Sequence, residues 1–543
     1  MTNTPHKFST ALLLLLIALG IRGLLLEHTD LIDPTESRYA NIAQEMLVSG
    51  DWLTPKVHMP EGVVPYLGKP PLHFWLTAAF YKIFGMEEWT SRLASFFSAL
   101  GLVFLIFTFC KKYFDEETAI ISGLIAFSSC MLFFLSGASV TDVTLSVFVS
   151  ASLVCLYKFV RERQDSPALL YSAVVFAGLS FLCKGPVALV LIFLPFVLHS
   201  LVSRDFAWLK RVNWLLSSIL FLAVISPWFI ASEIANPGFL KYFIWNENIG
   251  RYLFKEYGDR YGSGHVYTHG SSWIMFSAAF FPWTLVLIFK FFQSGVRSTW
   301  NFIAEDQDRL FVFCWAVSAP LFFTFVRQLH AMYLLPAIPA AAILTSILLK
   351  KKPVEWTFKA FKCYSIISVM FLLALMVTCQ ILFEFSNQML LMLIVCYLIS
   401  VAYIWQQSFS IKNVQVVSSI FVFFVSFYFV GIICVTPYIN KSRSTEDILL
   451  ELSENSIDRK DYRKVGVVTS NIYSHYWTAL AWETELKSKI DIEYLDPQKA
   501  GDSNLEYLLI EDNKHFKPET ISKNFKLAID KGNWKLFKRR DTL

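Results

Sequence analysis

The chain has 543 residues, of which 55% are hydrophobic and 16% aromatic, and its mean hydropathy is +0.48. Soluble globular domains carry far fewer apolar residues, so this composition excludes an ordinary soluble protein and predicts a polytopic membrane protein. The formal net charge of +5 comes largely from short basic loops and does not indicate a nucleic-acid partner. The G-x-x-x-x-G-K-[ST] loop of a P-loop ATPase does not occur in the sequence.

Apolar runs of about 18 to 22 residues recur from the N-terminus to about residue 437, and each is long enough to cross about 30 Å of hydrocarbon. No A-x-A-like cleavage site follows the first run, which is therefore predicted to be a signal anchor. The runs predict about thirteen transmembrane helices, at residues 8–27, 92–110, 118–137, 142–160, 168–183, 186–203, 213–232, 272–292, 309–326, 331–349, 364–384, 389–406 and 415–437.

Basic residues concentrate in alternate short loops, which the positive-inside rule assigns to the cytoplasm. The remaining loops then face outward, and two of them are long, at residues 28–91 and 233–271. Thirteen crossings also place the C-terminal tail outside. The basic residues of the cytoplasmic loops are Lys111, Lys112, Arg161, Arg163, Arg204, Lys210, Arg211, Lys290, Arg297 and Lys350 to Lys352.

The tail differs in character from the rest of the chain. Residues 440–543 are charged and contain the strand-like runs "KVGVVTS", "IDIEYL" and "EYLLIED", with the helix-like run "SHYWTALAWETEL" between the first two. A terminal hairpin is predicted in "FKLAIDKGNWKLFKR", turning at Lys531 and Gly532. The pattern predicts a small soluble α/β domain after a transmembrane domain of residues 1–439.

Ionisable residues near the membrane plane collect in the loops predicted to face outward. Such residues are costly beside lipid and tend to mark functional sites. They are Asp33, Glu36 and Arg38, with Tyr39, in "DPTESRYA", Lys69 and His73 in "YLGKPPLHFW", Asp142, Lys184, Arg251, Lys255, Asp259, Arg260, His265, His269, Arg327 and His330, with Tyr333.

Each of these residues also has a plainer structural interpretation. Cationic side chains near a membrane face often extend to lipid headgroups, and Asp142 lies where it could cap its own helix. Lys184 precedes Gly185 and Pro186, a sequence typical of a tight turn. His265 and His269 are four residues apart in a glycine-rich loop, and two histidines without a third ligand are more typical of a surface loop than of a metal site.

The residue types together suit an anionic head group at the membrane surface. Arg and Lys bind phosphate through charge-assisted hydrogen bonds, and a carboxylate can act as general base on an acceptor hydroxyl or amine. A lipid-linked phosphate donor would supply a good leaving group without ATP or a nucleotide. The sequence therefore predicts a transferase site at the boundary between lipid and water.

Several segments resemble a known family. "DPTESRYANIAQEMLVSGDWLTPKV", "PYLGKPPLHFWLTAAFYKIFG" and "EWTSRLASF" resemble the first outward loop of bacterial membrane glycosyltransferases of the aminoarabinose transferase and protein O-mannosyltransferase kind, in the C-type glycosyltransferase superfamily. "CKGPVAL" and "RQLHAMYLLPAIPA" extend the resemblance over most of residues 8–350. It implies a C-type fold, an outward-facing active site, a polyprenyl-phosphate-linked sugar donor, inverting transfer and a first-loop acid as catalytic base.

The predicted function is transfer of a sugar from a polyprenyl phosphate carrier to a periplasmic acceptor, either lipid A or another envelope glycolipid, in the bacterial inner membrane. Asp33 or Glu36 is the predicted base, with Asp142 as a supporting acid. The predicted donor-phosphate residues are Arg38, Tyr39, Lys69, Lys184, Arg251, Arg260 and Arg327.

Two departures from the family pattern leave questions open. Thr35 stands where relatives often carry an acid, which leaves both Asp33 and Glu36 as candidates for the base. Gly68 stands where aminoarabinose transferases tend to have Glu, which weakens any carry-over of a metal site or of the aminoarabinose substrate from the resemblance. A divalent metal stays open, with His265 and His269 as its weak candidate ligands.

Two other functions compete with this prediction. The first is protein O-glycosylation by a related enzyme. The second is a transporter or lipid flippase, which should show repeated halves, polar residues at the bilayer midplane and broken helices. The apolar runs here carry few polar residues at their centres, and the ionisable residues gather at one end.

Overall fold

The computed structural model describes residues 4–31, 35–59, 62–162, 166–253, 266–351, 413–443, 463–468, 490–495, 500, 503–511, 524–531 and 534–540. The chain divides into two compact units. Unit 1 comprises residues 1–24, 67–73 and 94–430, and unit 2 comprises residues 25–66, 74–93 and 431–543.

The described helices and strands follow one another along the chain as α1 (Thr4–Leu24), α2 (Thr35–Ser49), β1 (Lys56–Met59), β2 (Gly62–Pro65), α3 (Leu72–Phe84), α4 (Glu88–Ser91), α5 (Leu93–Tyr113), α6 (Glu116–Phe127), α7 (Cys130–Leu135), α8 (Thr141–Glu162), α9 (Pro167–Lys184), α10 (Val187–Ser203), α11 (Trp208–Arg211), α12 (Trp214–Ala235), α13 (Phe239–Lys241), a π-helix (Tyr242–Gly250), α14 (Arg251–Leu253), α15 (Ser271–Ala279), α16 (Trp283–Ser294), α17 (Val296–Ala304), α18 (Gln307–Phe323), a 3₁₀-helix (Ala331–Ala337), α19 (Ile338–Lys351), α20 (Asn413–Arg443), β3 (Arg463–Val468), β4 (Ile490–Tyr494), β5 (Tyr507–Glu511), β6 (Phe525–Lys531) and β7 (Trp534–Arg539).

The helices confirm a polytopic membrane protein but do not reach the predicted total of thirteen spans. Within the described part of the chain, six helical segments are long and apolar enough to cross a bilayer, or seven if α15 and α16 count as one bent span. The apolar parts of α1 and α10 are shorter. The predicted spans at 364–384 and 389–406 lie outside the described residues. The six segments are Leu93–Tyr113, Thr141–Glu162, Pro167–Lys184, Trp214–Ala235, Ala331–Lys351 and Val416–Ile433.

Two runs predicted as continuous spans are interrupted in the structure, and a third stays helical but changes its helix type. The run 118–137 breaks after Phe127, where the hydroxyl of Ser128 donates to the carbonyl of Leu124 at 2.6 Å. The run 272–292 bends by 109° between α15 and α16, beside Pro282, which has no N–H to continue a helix. The run 331–349 begins as a 3₁₀-helix containing Pro336. Apolar composition alone does not report these breaks.

Small polar side chains let the helices of unit 1 pack closely, as is common in membrane proteins. Helix α8 packs against α9, and α9 also packs against α12. The hydroxyl of Ser152 on α8 donates to the carbonyl of Ala173 on α9 at 2.8 Å. The hydroxyl of Ser146 donates to the carbonyl of Asp142 at 2.7 Å. Its hydrogen bond is therefore made within α8.

Arg22 is a buried cation near the end of α1, with 4% of its surface exposed. Its Nε donates to the carbonyl of Phe133 and its Nη2 to the carbonyl of Phe134, both at 3.2 Å. These carbonyls belong to the last turn of α7, where helical carbonyls have no partner within the helix. Arg22 therefore caps α7 from a neighbouring helix. Gly137 makes room for it, since a Cβ there would lie 1.5 Å from Nη2.

The C-terminal part of unit 2 contains a mixed five-stranded sheet in the order β4-β3-β5-β7-β6. Strand β3 pairs in parallel with β4 and β5, and β7 pairs antiparallel with β5 and β6. The predicted terminal hairpin is present as β6 and β7, with Lys531 opposite Trp534. The predicted helix "SHYWTALAWETEL" lies outside the described residues. Buried apolar side chains, among them Leu508, Ile510 and Phe525, form the core of this sheet.

Candidate active site

Glu36 forms a buried ion pair with Arg92 in unit 2. Arg92 donates from Nε to Oε1 of Glu36 at 2.8 Å and from Nη2 to Oε2 at 3.3 Å. The same guanidinium donates to the backbone carbonyls of Leu26, Thr29 and Asp30. Burial of Arg92 opposes its charge, but the charge of Glu36 raises the pKa of the guanidinium above its ordinary value. Both oxygens of Glu36 thus accept from one cation.

The sequence did not reveal this pair, because the nearest cation to Glu36 along the chain is Arg38. On a helix, residues two apart do not face each other, and the ion pair that the structure gives Glu36 reaches 56 residues along the chain. The available signal was Arg92 in "EWTSRLASF", an arginine at the very start of an apolar run. A charge in that position has to find a partner when it is buried.

Arg38 lies among aromatic rings. The carbon at the centre of its guanidinium lies 5.5 Å from the ring centroid of Tyr39 and 5.8 Å from that of Tyr66. Both rings pack edge-on against Phe74, with centroid distances of 5.5 and 6.2 Å. The guanidinium of Arg38 lies over the faces of the two tyrosine rings, where it is attracted by their quadrupoles. Asp33, the other predicted base, lies outside the described residues.

In unit 1, Asp142 and Lys184 form a buried ion pair. Asp142 lies in the first turn of α8 and Lys184 is the last residue of α9, and their side chains are 3% and 5% exposed. The ammonium of Lys184 also lies 3.8 Å from the ring centroid of Tyr333. Gly185, with φ of +79°, ends α9 immediately after the lysine. The predicted turn is therefore present. It lies beside an ion pair of two predicted site residues, Asp142 and Lys184, whose opposite charges cancel.

His73 is fully buried at the start of α3. Its Nδ1 lies 3.0 Å from the hydroxyl of Thr144 on α8. Burial lowers the pKa of His73 to about 4, although the nearby charge of Asp142 raises it. The imidazole is therefore neutral at pH 7 and contributes hydrogen bonding rather than charge.

A third buried carboxylate, Glu247, is the partner of both Lys69 and Arg251. Its Oε2 accepts from Nη1 of Arg251 at 2.9 Å and lies 3.7 Å from Nζ of Lys69. Its Oε1 accepts from the hydroxyl of Tyr242 at 3.0 Å, and Nε of Arg251 donates to Oε1 of Gln328 at 3.1 Å. We call Lys69, Tyr242, Glu247, Arg251 and Gln328 the Glu247 cluster. Sequence analysis found its two cations and missed the other three residues.

The π-helix brings two members of the cluster, Tyr242 and Glu247, together. In a π-helix, residues five apart are neighbours along the axis, because its hydrogen bonds run from i to i+5. Tyr242 and Glu247 are five apart within the segment Tyr242–Gly250. Arg251 follows four residues after Glu247, at the start of α14. A polar pattern with mixed spacings of four and five in "YFIWNENIGRY" was the available signal.

Arg327 and His269 contact each other at an exposed position, where Nε of Arg327 donates to Nε2 of His269 at 3.2 Å. Arg260 and His265 lie outside the described residues. In the described ranges, histidine, cysteine and acidic residues form no group of three or more that could hold a metal ion. The candidate metal ligands therefore stay a prediction.

Unit 1 also carries ion pairs at the other end of α8. Arg161 donates to Asp308 at 2.9 Å, and Lys112 pairs with Glu162 at 2.5 Å. Helix α8 has 22 residues, a length of about 33 Å, which matches the hydrocarbon thickness of a bilayer. Charges at both ends of an apolar helix of this length fit a membrane span, with Asp142 and Lys184 at one membrane face.

Comparison with known proteins identifies the fold. Residues 68–230 match a family described as dolichyl-phosphate-mannose-protein mannosyltransferase. The crystal structure of ArnT from Cupriavidus metallidurans bound to undecaprenyl phosphate superposes with a TM-score of 0.76, covering 97% of this chain and 98% of that chain at 20% identity. This superposition defines the class as a helical polytopic membrane protein with a glycosyltransferase fold like that of ArnT.

Within that class, the resemblance to the aminoarabinose transferase and protein O-mannosyltransferase kind is confirmed. An undecaprenyl phosphate-alpha-4-amino-4-deoxy-L-arabinose arabinosyl transferase of Proteus mirabilis is 27% identical over 57% of this chain and 54% of its own length. One from Pseudomonas fluorescens is 29% identical over 62% of this chain and 58% of its own length. The chain thus spans less than two thirds of the length of these relatives.

Proposed function

We propose that the protein is a glycosyltransferase that moves a sugar from a polyprenyl phosphate carrier to lipid A or another envelope glycolipid. The observation that carries this proposal is the Glu247 cluster, where Lys69 and Arg251, from separate segments of the chain, converge on one buried carboxylate oxygen. Two fixed cations suit a phosphate group. The relatives named for undecaprenyl phosphate-linked aminoarabinose support a lipid phosphate as the donor.

The donor-phosphate role is assigned first to Lys69 and Arg251. Arg38 with Tyr39, and Arg260 and Arg327, remain proposed contributors. Lys184 takes a different role in this proposal, because its charge is already balanced by Asp142. The pair is proposed to fix the ends of α8 and α9 and to hold Tyr333 in place.

Asp33 is proposed as the general base. A base has to reach the proton of the acceptor, whereas Glu36 is buried and holds Arg92 with both of its oxygens. Glu36 is therefore proposed to anchor the first loop. In the reaction, an acceptor oxygen attacks the anomeric carbon, its proton passes to Asp33, and the bond to phosphate breaks with its electrons staying on the phosphate oxygen.

The proposed orientation places both long loops and the C-terminal domain of residues 440–543 in the periplasm, with about thirteen spans in the inner membrane. The basic residues of the short loops support it. Lys112 and Arg161 lie at the end of the helix bundle opposite Asp142 and Lys184, so the two sets of charges belong to opposite membrane faces.

Asymmetric effects of two substitutions test the assignment. Asp33→Asn keeps the shape of the side chain but cannot accept a proton, so turnover should fall by about 10² to 10⁴ with donor binding nearly intact.

Lys69→Ala should weaken donor binding, since one charge-assisted hydrogen bond contributes about 1.5 to 3 kcal/mol. Purified variants would be compared for polyprenyl phosphate binding and for turnover. Unchanged turnover in Asp33→Asn would remove it as the base, and unchanged binding in Lys69→Ala would remove it from the phosphate site.

Protein O-glycosylation is the second candidate function, because the matched family is described as a protein mannosyltransferase. The acceptor separates the two functions. Mass spectrometry of lipid A and of envelope proteins from cells with and without the gene would locate the added sugar. A sugar that disappears from proteins and not from lipid A would favour this second function.

A further inference from the structure

Glu247 is a buried acid that the proposed reaction does not use. Its side chain is 2% exposed, and its oxygens accept from Tyr242 and Arg251 and lie within ion-pair range of Lys69. An acid among residues meant to bind an anion reduces their attraction for it. Its presence therefore calls for a physical reason beyond anion binding.

The reason lies in the charges of the donor and of the leaving product. A polyprenyl-phosphate-linked sugar is a phosphodiester with one negative charge. When the bond between the sugar and the phosphate breaks, the carrier leaves as a phosphomonoester, whose charge at pH 7 is about −1.5 to −2 because its second pKa is about 6. A site with excess positive charge would hold this product more tightly than the donor.

We propose that Glu247 sets the charge of the phosphate site to match the monoanionic donor, and so speeds release of the more highly charged lipid phosphate product. Lys69, Arg251 and Glu247 together carry a formal charge of +1, equal and opposite to the charge of a phosphodiester. Glu247 is a positioning residue in this account, since it acts through the two cations. The inference rests on the proposed function and deepens it.

The geometry of the cluster fits this role. Glu247 shares one oxygen between the two cations, which lowers the repulsion that would otherwise separate them. Gln328, which is 4% exposed, accepts from Arg251 without adding charge. The orientation of Arg251 is therefore fixed by two acceptors, and its charge is balanced by one of them. Glu247→Gln removes that charge and leaves a side chain of the same shape.

Product affinity tests the inference directly. Undecaprenyl phosphate and a methyl diester of undecaprenyl phosphate would be titrated against purified full-length protein in nanodiscs. In Glu247→Gln, the Kd for the monoester should fall by about tenfold, equivalent to about 1.4 kcal/mol, and the Kd for the diester by about threefold. The variant should lose steady-state turnover while its single-turnover rate is retained. Glu247→Asp, which keeps the charge, should bind both lipids nearly as wild type does.

Glu162, the last residue of α8, provides a matched control. Glu162 also accepts from a tyrosine, Tyr113, at 2.9 Å and pairs with a lysine, Lys112, but the contacts that define the Glu247 cluster do not include it. Glu162→Gln should leave both affinities unchanged. Equal affinities in Glu247→Gln and wild type, or weaker binding of both lipids by one factor, would overturn the inference. If wild-type protein bound neither lipid, the proposed function itself would fail.

Discussion

At the scale of single residues, the buried charged side chains discussed above each have a specific partner. Arg92 joins Glu36 to three backbone carbonyls, and Asp142 is paired with Lys184. The residue types in these pairs were predictable, because ionisable side chains stand out in an apolar sequence. Their partners were not, because pairing depends on which helices pack together.

Removing one member of the Glu36–Arg92 pair should destabilise the protein strongly. Arg92→Met leaves Glu36 as an uncompensated buried charge, which typically costs about 3 to 5 kcal/mol. Thermal unfolding in detergent would measure the loss as a lower Tm. Lys112→Met is the matched control, because Lys112 is 47% exposed in its pair with Glu162, and exposed pairs contribute about 0 to 1 kcal/mol. Equal Tm changes in the two variants would contradict a structural role for Arg92.

His73 should make the protein sensitive to mild acid. The pKa of buried His73 is lowered to about 4, whereas an unfolded histidine titrates near 6.5. The unfolded chain therefore binds more protons between these values, and stability falls as the pH drops from about 6.5 to about 4. At pH 5.5 the loss is about 1.4 kcal/mol.

A non-titrating variant checks this pH dependence. His73→Gln should show a smaller fall in Tm between pH 7.5 and pH 5.5 than wild type does, while both proteins respond alike between pH 7.5 and pH 9. A wild-type protein whose acid sensitivity is fully retained in His73→Gln would refute the assignment to His73.

Breaks in helices position the polar residues at the scale of the elements. The π-helix of Tyr242–Gly250 brings Tyr242 and Glu247 together, and the short helix α7 ends where Arg22 can reach its carbonyls. Hydrophobicity predicted the apolar run 118–137 that contains α7 but missed its interruption, and it assigned the π-helix segment to the loop 233–271 without predicting a helix there. A helix can break while the run of apolar residues continues, so the apolar pattern alone cannot locate the break.

The cap on α7 gives a steric test at this scale. Gly137→Ala places a Cβ 1.5 Å from Nη2 of Arg22, so the guanidinium has to leave the carbonyls of Phe133 and Phe134. Both carbonyls also accept from Ser136 and Gly137, so the group that loses these hydrogen bonds is the guanidinium of Arg22. The expected loss is about 1 to 3 kcal/mol, the typical cost of leaving a buried polar group unsatisfied. Gly20→Ala is the control, since a Cβ there meets nothing within 4 Å.

A double-mutant cycle separates the cap from general crowding at Gly137. In an Arg22→Ala background the side chain that the new methyl group displaces is gone, so Gly137→Ala should then cost little. Thermal unfolding of the four proteins would measure the coupling. Additive effects of the two substitutions would show that Gly137→Ala acts independently of Arg22.

Composition and charge patterning carry most of the information at the scale of the whole molecule. They predicted a polytopic helical protein, and the terminal hairpin was predicted from its turn at Lys531 and Gly532. The count of thirteen spans exceeds the six or seven found among the described residues. Part of the difference between the two counts arises from bends in the chain. The run 272–292 bends by 109°, and hydropathy reports how apolar a segment is but not whether it is straight.

Orientation in the membrane is the prediction that belongs to the whole molecule. The C-terminal domain and both long loops should face the periplasm, because the short loops on the other face are basic. An alkaline phosphatase fused after Leu543 should therefore be active, since that enzyme requires the periplasm. Activity of a reporter that works only in the cytoplasm, at the same fusion point, would reverse the assignment of every loop.

Reconstituted sugar transfer is the most direct test of the proposed reaction. Purified protein in nanodiscs would be incubated with lipid A and with polyprenyl-phosphate-linked sugars extracted from the same bacterium, and the lipids analysed by mass spectrometry. The account predicts a sugar added to lipid A or another envelope glycolipid, polyprenyl phosphate released in equal amount, and loss of both products in Asp33→Asn. Folded wild-type protein that binds the lipid donor and releases no polyprenyl phosphate with any envelope glycolipid present would contradict it.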